Sequence, residues 1–228
     1  MNLVIRGARL PSGVGPVDVG IADGRITRIA PHITAQGAHE ISAAGRLVIP
    51  GLVESHFHLD KALLGVGAPG GASTVEGAIR ATAEAKRAFT LEDIQRRARR
   101  ALEMAIRRGT TVMRTHVEVD PGVGLLGMEA IVPLKREYAW AIDLQICVFP
   151  QEGIFQAPGT EQLMRRALQM GGQAVGGVPY NDTDAKGHIA LVFDLAREFD
   201  RDADFHLDFA DDPDHLHITA VAEEAATG

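Results

Sequence analysis

The residues best equipped for chemistry are His56 and His58, in the run His56-Phe57-His58-Leu59-Asp60-Lys61. They follow the apolar stretch Leu47-Val48-Ile49-Pro50-Gly51-Leu52-Val53, which reads as a buried strand. Residues two apart on a strand point to the same side, so the two imidazoles aim at one point where that strand ends. Converging neutral imidazoles are half of a metal site. The same pair can simply be the polar end of a strand. An acid two residues on and further histidines at later strand ends weigh towards the metal.

Something must carry those side chains to one place. Residues 1 to about 46 read as a small all-β piece, with strands over 2–10, 16–21 and 26–29 and a hairpin signal at Asp23-Gly24. From residue 47 short β-rich runs alternate with amphipathic stretches. The expected strands are 47–56, 111–119, 143–149, 174–179 and 204–209. The expected helices are 74–87, 91–108, 126–138, 160–170, 187–199 and 212–226. Thr90 with Asp93 three residues later opens the clearest of them, and Gly109 stops it.

Repeated strand–helix units mean a parallel sheet. Polar residues collect at the carboxyl end of every strand: His56/His58, Thr115/His116, Gln151/Glu152, Tyr180/Asn181 and His206/Asp208. An open doubly wound sheet gathers ligands at one switch point, usually behind a glycine-rich first turn. Convergence from all five strands suits a barrel instead. The predicted fold is therefore α/β: a partial (β/α)8 TIM-type barrel of about five of its eight units over 47–228, with a small β-sandwich piece over 1–46.

Composition narrows the classes. A net charge of −7 argues against nucleic acid, since phosphate binding needs clustered Lys and Arg. The basic run Arg96, Arg97, Arg99 and Arg100 shares its helix with Glu92, Asp93 and Glu103 and reads as a solvated face. The single cysteine, Cys147, excludes an internal disulfide and fits a reducing compartment; its apolar surroundings make it core. No membrane span or signal peptide is expected, so the cytoplasm is the expected location. Among the other histidines, His116 reads as a buried strand-end residue bonded to a neighbour, and His188, His215 and His217 as surface residues. Tyr138 and Trp140 read as packing, and Lys61 equally as a substrate contact or a salt bridge.

The chain resembles the metal-dependent amidohydrolase superfamily and, within it, the cytosine deaminase-like branch. The resemblance lies in the stretch from Val48 to Asp60, Arg114-Thr115-His116-Val117, Asp143-Leu144-Gln145-Ile146, Phe149-Pro150-Gln151-Glu152-Gly153, Val175-Gly176-Gly177-Val178-Pro179 and Phe205-His206-Leu207-Asp208, in that order. The Phe-Pro-Gln-Glu-Gly run narrows it to the branch. It implies a β-sandwich built from both chain termini and packed beside the barrel. It also implies His56, His58 and His206 as metal ligands and Gln151 as the contact to a pyrimidine-type substrate. No lysine lies in 174–179, so one divalent ion, iron or zinc, is expected rather than a carbamylated bridge; imidazole suits both metals.

The implied activity is that of a metal-dependent hydrolase or deaminase cleaving C–N bonds of a small heterocycle with metal-activated water. Two departures qualify it. The strand-six histidine and strand-eight aspartate of the family have no counterparts, and Phe209 stands where cytosine deaminases carry the glutamate that shuttles protons. Asp208, Asp211 and Asp212 are the carboxylates that could substitute; strand alternation turns Asp208 to the side of His206 and makes it the expected one. The alternatives are a truncated, catalytically inactive fragment, half of a split enzyme that needs a complementing chain, or a binding protein that kept the Gln151 pocket. The expected partners are a small heterocyclic substrate and a homo-oligomer or a complementing chain, with neither nucleic acid nor membrane.

Overall fold

The computed structural model describes residues 1–13, 15–35, 38–64, 81–82, 84–208 and 216–227. The chain forms two compact units, Met1–Gly51 and Leu52–Gly228. In the first, β1 (Leu3–Ala8), β2 (Val17–Ala22), β3 (Arg25–Ala30) and β4 (His39–Ser42) make one sheet ordered β3-β2-β1-β4. Asp23 and Gly24 both take positive φ, 51° and 74°, the left-handed pair that a tight hairpin between β2 and β3 requires. β4 has no hydrophobic alternation to announce it, and the sequence pattern misses it. The sheet closes on a small core of Ala8, Val19 and Ala43.

The second unit carries β5 (Leu52–Phe57), β6 (Thr110–Glu118), β7 (Asp143–Phe149), β8 (Ala174–Gly177) and β9 (Asp202–Phe205). All are parallel and pair in chain order, β5-β6-β7-β8-β9. A doubly wound sheet reverses its order somewhere; this one does not, and it is the arc of a barrel. The first barrel strand starts at Leu52, later than expected. Residues Arg46 to Val48 are taken up within the first unit, where Val48 N–H donates to Arg9 O at 2.9 Å and Leu47 bridges Arg9.

The connections are α1 (Leu91–Arg107), α2 (Leu126–Glu137), α3 (Thr160–Gln169) and α4 (Ala185–Phe199), with α5 (Ile218–Ala225) after β9. Thr90 caps α1 by accepting from Asp93 N–H. Gly109 follows α1 at φ 91°, the left-handed stop that glycine tolerates. In α1 the buried positions are Ile94, Arg97, Ala98, Ala101 and Leu102, the i, i+3, i+4, i+7, i+8 stripe of a helix laid on a sheet. That stripe overturns the solvated reading of Arg97. Its guanidinium donates to Asp60 O at 3.0 Å and Ala62 O at 2.8 Å and lies 5.0 Å from the Phe89 ring. Residues 74–80 and 83 of the expected first helix, and 212–215 of the last, lie outside the described residues.

On β7, Leu144, Ile146 and Val148 face the helices and join the main core. Gln145, Cys147 and Phe149 face the other way, opposite Arg114, His116 and Glu118 of β6 in register. Cys147 is fully buried, and burial pushes its thiol pKa up, so it is core as expected. Gly176 and Gly177 let β8 come close. A Cβ on the first would sit 2.6 Å from Val148 O, and one on the second 2.5 Å from the Phe205 ring. Tyr138 packs as expected. Trp140 does not: it is 80% exposed, carried outward by the turn between α2 and β7.

Candidate metal centre

β5 delivers the first two histidines. Its pairing with β6 slips between Glu54 and Phe57, where three residues of β5 span two of β6, a bulge that re-aims side chains at a strand end. The following turn, Leu59–Lys61, is pinned to β6 twice. Leu59 N–H donates to Thr115 Oγ1 at 3.0 Å, and the Asp60 carboxylate accepts from Glu118 N–H at 2.9 Å. Asp60 is thus a buried clamp that fixes where His58 stands. His206 comes from the far side of the arc, one residue beyond β9, where its N–H donates to Gly177 O at 2.9 Å.

These elements bring His56 Nε2 and His58 Nε2 to 3.3 Å. Two nitrogens on one tetrahedral ion, each bonded at about 2.0–2.1 Å, are separated by about 3.3–3.4 Å. The ring of His206 stands 4.4 Å from that of His56 and 5.6 Å from that of His58. His116 joins them, so that one nitrogen from each of the four lies within 4.8 Å of the others. His58 Nδ1, His116 Nδ1 and His206 Nε2 are buried with no hydrogen-bond partner, a costly state for polar nitrogens. Burial, then the charge of Lys61, pushes the His58 pKa down to about 2; burial and the neighbouring imidazoles push His206 down to about 4. The neutral form that metal ligation requires is therefore favoured at pH 7. The donor set fits a divalent ion.

Phe149 lies under the cluster, its ring 5.4 Å from His58, 5.5 Å from His116 and 4.3 Å from His206. Two residues on, Gln151 is half-buried. Its side chain shares a hydrogen bond with Tyr180, and its carbonyl accepts from Asn181 Nδ2 at 2.6 Å. Asp208 lies after β9 has ended. Its φ of 52° departs from strand geometry, and Oδ1 accepts from His217 N–H at 2.6 Å. Phe209, Asp211, Asp212 and His215 lie outside the described residues.

Two histidines differ from expectation. His188 is completely buried rather than on the surface, because Nδ1 meets Asp182 Oδ2 at 2.7 Å and Nε2 accepts from Val178 N–H at 2.9 Å. Both ring nitrogens are satisfied, so burial costs the neutral ring little. His217 is half-buried, its side chain 20% exposed beside Asp208. Asp182 escaped the sequence reading as well. Its carboxylate accepts from the backbone N–H groups of Ile154, Phe155 and Gln156 and so holds the loop that follows Gln151. Nothing in the sequence around an aspartate signals partners some 28 residues away. Lys61 donates to Glu118, an ion pair.

The chain matches the amidohydrolase family over residues 39–227 and belongs to it. It is 34% identical over 213 residues to the N-isopropylammelide isopropyl amidohydrolase of Pseudomonas sp. (strain ADP), covering 90% of this chain and 53% of that protein. Among solved structures it is similar to 5-methylcytosine deaminase from Klebsiella pneumoniae liganded with 5-fluorocytosine. There the TM-score is 0.89 at 35% identity, over 98% of this chain and 55% of the other. N-isopropylammelide isopropylaminohydrolase from Burkholderia multivorans superposes with a TM-score of 0.83 at 28% identity, covering 100% and 58%. The chain thus spans about half the length of the relatives it matches. Among the described residues no helix is long and apolar enough to cross a membrane.

Proposed function

We propose that this chain supplies the metal-binding half of a hydrolase that cleaves a C–N bond on a small nitrogen heterocycle. The observation that carries the reading is the convergence of His56, His58 and His206, with buried nitrogens that lack partners. Those three residues would hold one divalent ion, iron or zinc. Bound there, it supplies Lewis acidity and brings the pKa of a water towards about 7. The chain's own residues do the rest. Gln151, able both to donate and to accept, reads a ring edge that sets an N–H beside a C=O. Phe149 keeps solvent from beneath the imidazoles. Asp208, which follows the end of β9 and so is not aimed by strand alternation, is the carboxylate assigned to carry the proton to the leaving nitrogen.

The named relatives support a pyrimidine or triazine ring as the substrate class. The test is metal content per chain on the purified protein beside His56→Ala, followed by ammonia or amine release from aminopyrimidines and N-alkylaminotriazines. Near one iron or zinc per chain, lost in the variant, together with turnover, supports the reading. No metal in the unaltered protein sinks it.

A second reading, a chain that holds metal without turnover, has its own observation. His56 is exposed, and Asp208, the proposed proton carrier, lies beyond β9 with one carboxylate oxygen taken by His217 N–H. Metal at full occupancy with no release from any of these rings would favour it.

A further inference from the structure

We propose that His116 is a fourth imidazole of the metal centre, held for that task by Asp204 and Arg114. The proposal rests on the metal reading above and adds a donor from β6 to those from β5 and β9. The His116 ring stands nearly equidistant from the other three, at 5.0 Å from His56, 5.3 Å from His58 and 4.8 Å from His206. Its side chain is 2% exposed.

The hydrogen bonds fix its proton. Asp204 Oδ1 accepts from His116 Nε2–H at 3.2 Å, which leaves the lone pair on Nδ1, the buried atom without a partner. Arg114 Nη1 donates to the other oxygen, Oδ2, at 2.8 Å, and Nε and Nη2 of Arg114 donate to Gln145 Oε1 at 3.3 and 3.2 Å. A relay from β7 through β6 to β9 therefore holds one carboxylate against one imidazole. A carboxylate on the far nitrogen is the arrangement that orients metal-bound histidines and raises their basicity.

His188 supplies the internal contrast. It is as deeply buried and also leans on an aspartate, yet its second nitrogen accepts from Val178 N–H. His188 thus closes both of its nitrogens, whereas His116 leaves one open among three other imidazoles. Cys147 completes a group with His116 and Asp204, but its Sγ faces Val148 O at 4.0 Å and it is not part of the four-histidine group.

The experiment is a Co(II) titration of the metal-stripped protein, read by calorimetry and by visible d–d absorption, with folding followed by circular dichroism. His116→Ala should bind Co(II) at least ~10-fold more weakly and shift the absorption bands, and Asp204→Asn should weaken binding by ~10–100-fold. Asp204→Asn keeps the volume and decides the case if His116→Ala does not fold. If the unaltered protein takes up no Co(II), the metal reading fails and this proposal with it. If the unaltered protein binds and His56→Ala does not, while His116→Ala and Asp204→Asn match the unaltered protein in affinity and spectrum, this proposal alone is overturned.

Discussion

Glu118, Asp120 and Glu152 gather their oxygens within the same 4.8 Å as the histidines gather their nitrogens, and both groups stand at carboxyl ends of neighbouring strands. By ligand spacing alone either could hold a cation. The carboxylates already have theirs. Lys86 Nζ donates to Glu118 and Glu152 and lies 3.4 Å from Asp120, while Lys61 donates to the second oxygen of Glu118. Burial lowers the Lys86 pKa, and the surrounding carboxylates more than reverse it. Asp120 also accepts from Gly122 and Val123 N–H. That cluster is a closed internal salt. The imidazoles have no ammonium among them and three nitrogens without partners. A site waiting for a ligand is marked by several unsatisfied nitrogens gathered at one point, more than by the residue types that surround it.

The sharpest way to break the comparison is to remove one cation. Lys86→Met leaves Glu118 and Asp120 buried with only Lys61 to balance them. Losing one partner of a buried pair costs about 3–5 kcal/mol, and urea unfolding should show a loss of that order with metal affinity within a few-fold of normal. A loss below about 1 kcal/mol would mean that the carboxylates are hydrated and not closed. The reverse is expected of His58→Ala. The ring gives up only its Nε2 contact to His56 and its packing on Phe149, so metal-free stability should fall by less than in Lys86→Met, while Co(II) affinity should fall by ~100-fold or more. Equal stability losses in the two variants would erase the distinction.

Asp182 tests whether a closed cluster can serve the open one at a distance. Asp182→Ala strips acceptors from the N–H groups of Ile154, Phe155, Gln156 and Thr183. Each unsatisfied buried group costs about 1–3 kcal/mol, reduced where water can reach it, so a loss of about 2–3 kcal/mol is expected. The Gln151 loop should loosen with it. Substrate affinity should then fall while metal content holds; a fall in metal content would link that loop to the histidines directly.

The barrel arc was legible because period-two hydrophobic runs, capping residues and polar strand ends all follow local rules. The Thr90 cap and the Asp23-Gly24 turn needed nothing beyond their own neighbours. His56 and His58 were legible from their spacing of two, although β5 ends at Phe57 and a bulge, not simple alternation, brings them together. His116 was read as a strand-end histidine bonded to a neighbour, and the sequence could not supply the rest. Its open nitrogen depends on Asp204, 88 residues on. Arg97 and His188 were misplaced for a related cause. A charged or polar side chain is buried when distant backbone groups satisfy it, and here those groups belong to the turn at Asp60–Ala62 and to Val178.

The smallest effect lies in acid. Burial, more than offsetting its bond to Asp182, holds the His188 pKa below its ordinary value of 6.5. Between the two values the unfolded chain takes up a proton that the folded chain refuses. Stability is then constant above about pH 6.5 and declines as pH falls below it, by at most about 1.4 kcal/mol per pH unit for one such group. Protonation would also forfeit the bond from Val178 N–H, since a charged ring has no acceptor left. Urea unfolding of the metal-free protein at pH 7.5 and 5.5 should show the decline, and His188→Gln should flatten part of it at the cost of lower stability at pH 7.5. An unchanged slope in that variant would assign the acid sensitivity to the open imidazoles, which would then dominate the closed region even without metal.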